Sequence, residues 1–439
     1  MKCHGLHFAL AGILLSNPSI ADIAETKGGL KIISYDGNFH AELGGIIFFD
    51  GYIFDKDDRF FSELDEDYFL IRGFEEPVNT TDFRAVRLIM SGKLWKWKYK
   101  LERDFSIPGV GGLLDVYMTT EILNGTFITG NYKPSRSIGE LTGQNDILMM
   151  ERPIASDGIY FGRVRQQGLG WHTHWCCHTF GVDLFNLRNP GAPRNSGIGA
   201  ATRFTWAPIN DQISTLHLGA SLSYENPNKL TLPREAVVEN SGRRGPRQLI
   251  ALSPGGSSYF FGEFGDEEFF LGSPEGKVHF TGLELAGTYG PFFLQSEYAF
   301  GNFSGDFFLS ELTFDKFFGA PPDFFCDPFF GCFIGDQDVR TWYVQGSWAV
   351  TGEHKEYNQT KGVFKSIKPI PPAGAFEVTA RYQSIENRDI PSMRNSNFIF
   401  GFNYYFNPKV RFMLNITLGN NRFTGDETNQ FAVRIHGFW

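Results

Sequence analysis

From residue 39 to the end of the chain one pattern recurs: runs of about ten residues in which every second side chain is apolar. In NFIFGFNYYFNP, Phe398, Phe400, Phe402, Tyr404 and Phe406 share one face, and Asn397, Gly401, Asn403 and Asn407 the other. KVRFMLNITLG sets Val410, Phe412, Leu414, Ile416 and Leu418 against Arg411, Met413, Asn415, Thr417 and Gly419. TLHLGASLSY repeats this, and LWKWKYKLE sets Trp95, Trp97, Tyr99 and Leu101 against Lys96, Lys98, Lys100 and Glu102. A period of two over such a length matches strands that cross a bilayer at a tilt, whereas strands of soluble sandwiches commonly run about five or six residues. The connections also alternate. Tight turns such as Asn407-Pro408, Leu123-Asn124-Gly125 and Tyr289-Gly290-Pro291 are separated by long segments such as 226–276 and 303–336.

Sixteen strands are predicted, near 39–54, 82–92, 94–105, 112–122, 125–132, 168–175, 178–186, 198–207, 213–224, 277–288, 291–302, 337–350, 373–385, 397–406, 409–419 and 430–439. Segment 158–165 is not counted as a seventeenth. An even number with both ends on the short-turn side is what a closed barrel requires. The predicted fold class is all-β: a transmembrane antiparallel β-barrel with short periplasmic turns and long extracellular loops. The final FAVRIHGFW alternates Phe431, Val433, Ile435, Gly437 and Trp439 with other residues and ends on an aromatic, like an outer-membrane assembly signal.

Composition changes the picture in two places. Mean hydropathy is −0.22, which by itself reads as soluble. Yet 46 phenylalanines and 50 glycines exceed the needs of one soluble core, and a barrel whose lipid-facing and lumenal residues alternate hides its apolar band in the average. The net charge of −9 argues against a nucleic-acid partner. At the N-terminus, Lys2, the apolar run Leu6–Leu15 and Ser19-Ile20-Ala21 have the layout of a secretory signal, predicted as residues 1–21. Residues 22–38 then form a periplasmic segment and 39–439 the barrel, with an inward-folded constriction loop near 133–167.

On the polar faces lie Arg203, Arg381, Arg411 and Arg434; in the apolar band an arginine would cost about 2–4 kcal/mol at the midplane, so the lumen is their place. Arg381 also has Glu377 four residues back on the same face. Lys96, Lys98 and Lys100 form a predicted stripe, about 7 Å apart by strand geometry, and are the strongest selectivity candidates. Arg84 shares a face with Val86, Leu88 and Met90, so either a bulge re-aims it or it lies above the lipid; Arg87 competes with it from the opposite face. The loop cluster Arg243, Arg244 and Arg247 reads equally as an anion antenna or as ordinary loop chemistry.

The densest collection of metal-ligand side chains is WHTHWCCHTF at 171–180. His172 and His174 have a strand-compatible chelating spacing. However, no carboxylate stands beside them as a base, and Cys176-Cys177 occupies a turn, so the stretch is read as a hairpin with lumenal histidines and no metal. Four cysteines follow the signal, in an oxidising compartment, and three pairings are possible. Cys326 and Cys332, flanking DPFFG, are the preferred pair; Cys176-Cys177 would be a strained vicinal bridge or two thiols.

Taken together, the chain resembles the phosphate-selective porins O and P over nearly all of its mature length. The resemblance is carried by TKGGLKIISYDGNFHAELGG (26–45), SGKLWKWKYKLERDF (91–105), LLDVYMTT (113–120), GELTGQNDILMMERP (139–153), TGEHKEYNQTKGVFKSIKP (351–369), GAFEVTARYQSIENRD (374–389) and FGFNYYFNPKVRFMLN (400–415). It implies a homotrimeric sixteen-stranded porin in the outer membrane of a Gram-negative bacterium, in contact with lipid and lipopolysaccharide, that passes small inorganic anions such as phosphate or pyrophosphate without a cofactor. Position by position, it places Arg84 on an arginine before the second strand, Arg152 on the arginine of the inward loop and Asp115 on a pore-wall aspartate. Lys98 falls on a periplasmic-side lysine, with Lys27 and Lys368 as further members. The chain departs from the pattern at Ile46 and Ala85, where lumenal arginines are expected, and in GELTGQNDI (139–147), which has no lysine and contains Asp146. No converging nucleophile and base are found for an enzyme. The alternatives to an anion pore are a general, weakly selective porin and a barrel whose long loops serve adhesion.

Overall fold

The computed structural model describes residues 21–25, 30–57, 77–107, 112–154, 164–187, 197–227, 234–239, 241–253, 259–264, 267–271, 276–304, 307–309, 326–327, 331–370, 373–390, 393–421 and 425–439. Sixteen antiparallel strands form the barrel: Phe39–Asp55, Thr80–Leu94, Trp97–Asp104, Leu113–Ile122, Gly125–Tyr132, Gln166–Trp175, His178–Asn186, Gly197–Asn210, Ser214–Pro227, Lys277–Tyr289, Phe292–Ser304, Gln337–Ala349, Ala375–Asn387, Arg394–Asn407, Val410–Asn421 and Asn429–Phe438. Each pairs with its neighbour in sequence, and the last closes on the first, with Arg434 opposite Asp50 and Phe438 opposite Ile46.

The distribution of side chains is inverted relative to a soluble protein. Along Lys277–Tyr289, Leu283 and Leu285 point outward at 55 % and 47 % exposure, while Glu284 between them is 5 % exposed. Asp50, Glu297, Arg381, Arg411 and Arg434 are likewise inside, and Ile47, Phe49 and Phe400 outside. Such a surface is stable only where the outer solvent is hydrocarbon. Among the described residues no helix is long and apolar enough to cross a membrane, so the crossing falls to strands.

The N-terminal residues join the sheet. Ala21–Glu25 pairs with Leu30–Ser34, which pairs with the start of the first barrel strand, Leu30 opposite Leu43. The expected signal lies outside the described residues apart from Ala21. At the other end Trp439 exchanges backbone hydrogen bonds with Gly45 at 3.2 and 3.1 Å. A Cβ on Gly45 would meet the Trp439 ring at 2.2 Å, so only glycine lets the last residue seal the barrel.

The rim of short turns carries one exception to the sequence expectation. The connection 350–374 is long, and its small hairpin, Lys355–Asn358 with Val363–Ile367, turns into the barrel. Val363 and Phe364 pack there against Ile138, Leu148 and Phe293. These strands are too short for a membrane period, so alternation does not register them. From the opposite rim the segment after Tyr132 enters the lumen, burying Arg136, Ile138 and Met149 completely. A single helical turn, Ile138–Leu141, begins there, and the Ser137 hydroxyl accepts the Glu140 N–H at 3.1 Å to cap it. A third insertion, Arg234–Glu239 with Arg247–Ser253, places Val238 and Ile250 among Phe280, Phe303, Val339 and Ile385.

Candidate anion passage

The inward loop is held from two sides. Glu284 and Glu297 on neighbouring wall strands accept the Ile138 and Gly139 N–H groups, each at 3.0 Å. Opposite, wall donors grip its carbonyls: Asn403 at Leu148 (3.0 Å), Arg411 at Ile147 (3.1 Å), Arg381 at Glu151 (3.0 Å), and Arg434 at Met150. The Glu151 side chain completes the attachment, taking both Arg84 nitrogens at 2.8 and 2.9 Å and Arg434 at 2.9 Å. Burial raises the Glu151 carboxyl, but the two guanidiniums outweigh it and hold it below the usual range.

Arg84 reaches Glu151 because the strand bulges. Phe48 pairs with Ala85 and Phe49 with Phe83, leaving Arg84 without a register partner and turned inward. The bulge alternative is the one realised.

Between the loop and the wall lies a cavity of about 430 Å³. Lys100, Lys133, Arg152, Arg165 and Lys361 reach it, together with Arg87 and Arg203, against the carboxylates Glu102, Asp115 and Asp146. Several cations are already spoken for. Arg87 bridges Glu102 and Asp104 at 2.9 and 2.8 Å, and Arg203 is bidentate to Glu284 at 2.8 and 2.7 Å. Asp115 takes Lys100 at 2.6 Å and Arg165 at 2.5 Å. Lys133 instead donates to the Glu140 carbonyl at 2.6 Å. Burial, reinforced by Arg152 and Arg165, holds the Lys133 ammonium well below the ordinary lysine range. Lys361, at the tip of the inserted hairpin, is open to lumenal water although protein encloses it; its ammonium has no hydrogen-bond or ion-pair partner among the described residues. Enclosure, with Lys100 nearby, lowers its proton affinity.

The predicted residues therefore divide. Arg87, Lys100, Asp115, Arg152 and Arg203 line the cavity, whereas Arg411 serves the loop, bonding Ile147, the Tyr405 hydroxyl (3.2 Å) and His436 (3.2 Å). Arg381 takes Gln345 at 3.0 and 2.8 Å, and the suggested partner Glu377 pairs with Lys355 at 2.8 Å. The lysine stripe breaks up. Lys96 lies in the turn before Trp97, Lys98 is exposed opposite Lys93, and only Lys100 reaches the cavity. The periodic pattern runs straight through Trp95, whose φ of 51° in fact marks the reversal. Lys368 stands on the 350–374 connection, paired with Glu356 at 2.6 Å outside the cavity, and Lys27 lies outside the described residues. Arg243 and Arg244 fold onto Asp82 at 3.1 and 2.9 Å, which favours the loop-chemistry reading for those two.

Lys133, Arg165 and Lys361 were missed by the sequence reading. None lies on a periodic strand, and only Lys361, within TKGVF, falls in a segment that carried the resemblance.

The histidine-cysteine stretch folds as a hairpin. His172 contacts Asp183 at 2.8 Å and Ser135 at 3.2 Å through the same nitrogen, which is no arrangement for activating a hydroxyl. His174 lines the cavity near it. Contrary to the sequence expectation, a carboxylate does stand beside the pair: Asp183 comes from the adjacent strand, invisible to sequence spacing. Cys176 and Cys177 are free thiols in the turn, with Cys176 at φ 46°. Among the described residues no group of three or more potential ligands is placed to hold a metal. Cys326 and Cys332 are opposite each other in the register of a short antiparallel pair, and their side chains lie outside the described atoms.

A closed barrel with an apolar exterior, a charged lumen and a loop narrowing it defines an outer-membrane porin. The profile of the phosphate-selective porin O and P family matches residues 64–248 and 271–436, and the chain belongs to that family. It is a passive channel for small anions in the outer membrane of a Gram-negative bacterium. Porin O of Pseudomonas aeruginosa is 24 % identical over 425 residues, covering 89 % of this chain and 85 % of that one. Among solved structures, an anion-selective porin from Comamonas acidovorans has TM-score 0.51 at 10 % identity, covering 91 % of this chain and 100 % of that one. The trimer form of OmpT, an outer-membrane protein of Vibrio cholerae, has TM-score 0.50 at 8 % identity, covering 91 % and 99 %. At these identities the two structures speak for the fold.

Proposed function

We propose that the selective step occurs in the cavity between the inserted loop and the wall, where Lys100, Lys133, Arg152, Arg165 and Lys361 draw oxyanions of the phosphate type out of bulk water. The observation that carries this is the surplus of cations there: with Arg87 and Arg203 committed to Asp104 and Glu284, five basic side chains still line the cavity against the carboxylates Glu102, Asp115 and Asp146. Low-dielectric walls focus such a surplus on the passing ion and raise its local concentration, and rings of Arg or Lys are a recognised means of anion selection. Asp115, engaged by two of the cations, keeps the attraction weak enough for release. Lys96, Lys98 and Lys368 act outside it as rim charges. The mature chain begins after a signal of residues 1–21 and assembles as a homotrimer amid lipid and lipopolysaccharide; the trimeric relative supports the assembly. Conductance in planar bilayers tests the reading. A zero-current potential of anion sign in a KCl gradient, with phosphate blocking chloride current, is expected; cation selectivity would overturn it.

A further inference from the structure

The cavity joins two chemistries. The inserted segments contribute the cations Lys133, Arg152 and Lys361 beside Asp146, and the barrel wall, besides its charged residues Arg87, Lys100, Glu102, Asp115 and Arg203, contributes an apolar part made of Ile46, Ile89 and Ile128 from three strands. Ile46 is continuous with an apolar patch formed by Phe48 and Ala85, with Ile89 packed against it. A bare oxyanion gains nothing from the isoleucine part of the wall, because isoleucines offer it no hydrogen bond and exclude the water that would. It is also too small: a cavity of about 430 Å³ lies in the range of sites for organic molecules, and phosphate would leave most of it to water.

We propose that the passage is shaped for small anions carrying an apolar body, namely aryl or alkyl phosphates and carboxylates. The headgroup lies on Arg152 and Lys361, with Lys133 beside them as a hydrogen-bond donor, and the body covers Ile46, Ile89 and Ile128. This rests on the reading of the cavity as the anion-selective step and adds the class of anion it prefers. The apolar wall cannot attract a neutral solute by itself past the surrounding charges, and the cations do not distinguish phosphate from its esters. Discrimination comes from the two sides acting together, since apolar area leaves water only when the headgroup is seated.

The test compares anions of equal charge. At pH 8, phenyl phosphate and orthophosphate are both dianionic, and benzoate and acetate are both monoanionic. In bilayer recordings of the full channel, phenyl phosphate should half-block chloride current at a concentration about tenfold below that of orthophosphate, the lower end of what an apolar subsite yields for one apolar group. Benzoate should exceed acetate similarly. Ile46→Ser and, independently, Ile89→Ser should shrink both ratios severalfold while leaving the zero-current potential in a KCl gradient anion-selective. Equal half-block by both members of each pair in an anion-selective channel would overturn the proposal and spare the underlying reading. Ratios that survive both serine variants would also overturn it, because the preference would then lie elsewhere. Loss of anion selectivity in the unmodified channel would instead remove the reading on which the proposal rests.

Discussion

Replacing Lys361 with methionine isolates one charge from the scaffold. The hairpin uses only this residue's backbone: its N–H donates to the Asn358 carbonyl at 3.2 Å, and its carbonyl accepts Arg203 at 2.9 Å. Methionine keeps both bonds and much of the stem. Treated as a sphere, a cavity of about 430 Å³ has a radius of ~5 Å, which sets the separation between a central ion and a charge in the lining. At that distance a unit charge attracts an anion by ~0.8 kcal/mol in a fully water-like medium and ~1.7 kcal/mol at half that dielectric constant. A loss of ~1 kcal/mol weakens binding about fivefold for each charge on the ion, so a dianion suffers more than a monoanion. The assay is the half-blocking concentration of phosphate on chloride current, taken at 0.1 M and 1 M KCl. The Debye length falls from about 10 Å to about 3 Å between those conditions, so the difference between wild type and variant should largely vanish at the higher salt. An unchanged half-block at 0.1 M, in protein of unaltered thermal stability, would refute the reasoning. So would a salt-independent effect.

Other perturbations read other parts of the passage. Glu151→Gln removes the carboxylate shared by Arg84 and Arg434; the midpoint of thermal unfolding should fall, corresponding to about 1–3 kcal/mol, and single-channel current should become noisier as the loop loosens. Lys133 is held below the ordinary lysine range, so the cavity gains a positive charge as pH falls through its titration. Chloride-over-potassium selectivity should therefore rise on acidification from alkaline pH, and rise less in Lys133→Met, where Lys361, also lowered, still titrates. Glu at both Lys96 and Lys98 should move the zero-current potential toward cations at low salt only, because both side chains are exposed. Cys326 and Cys332 should resist alkylation until reduced, as read by mass spectrometry; labelling of both without reductant would exclude the bridge.

The barrel was legible because a membrane strand states its period twice, once toward lipid and once toward the lumen. Phe398, Phe400 and Phe402 face out and Asn397 and Asn403 face in, as the alternation requires, and the sixteen strands match with shifts only at their ends. The inserted hairpin at 355–367 was not legible, since Lys355–Asn358 and Val363–Ile367 are too short to show a period and their partners lie far along the chain. The bulge at Arg84 belongs between these cases. The sequence showed an arginine on an apolar face, a conflict that one extra residue resolves, and which way it resolves depends on the neighbouring strand.

The site was legible in kind and not in detail, and the reason is that a lumenal position does not fix what an arginine faces. Alternation places Arg203, Arg381, Arg411 and Arg434 inside with equal force. Yet Arg203 spends its charge on Glu284, and Arg381, Arg411 and Arg434 grip three carbonyls of one loop. A buried guanidinium with such partners cannot also strip water from a passing anion without breaking bonds that hold the constriction in place. The cations that reach the cavity from irregular backbone are engaged to different degrees: Arg152 donates to the Gly139 carbonyl, Arg165 pairs with Asp115, Lys133 donates to the Glu140 carbonyl, and the Lys361 ammonium at the hairpin tip has no partner among the described residues. Regular strands supply most of the grip, and the hairpin insertion supplies the unengaged charge of Lys361. A count of strand arginines therefore measures how firmly the constriction is anchored, and the selectivity of this pore should follow substitutions in the insertions more closely than substitutions on the wall.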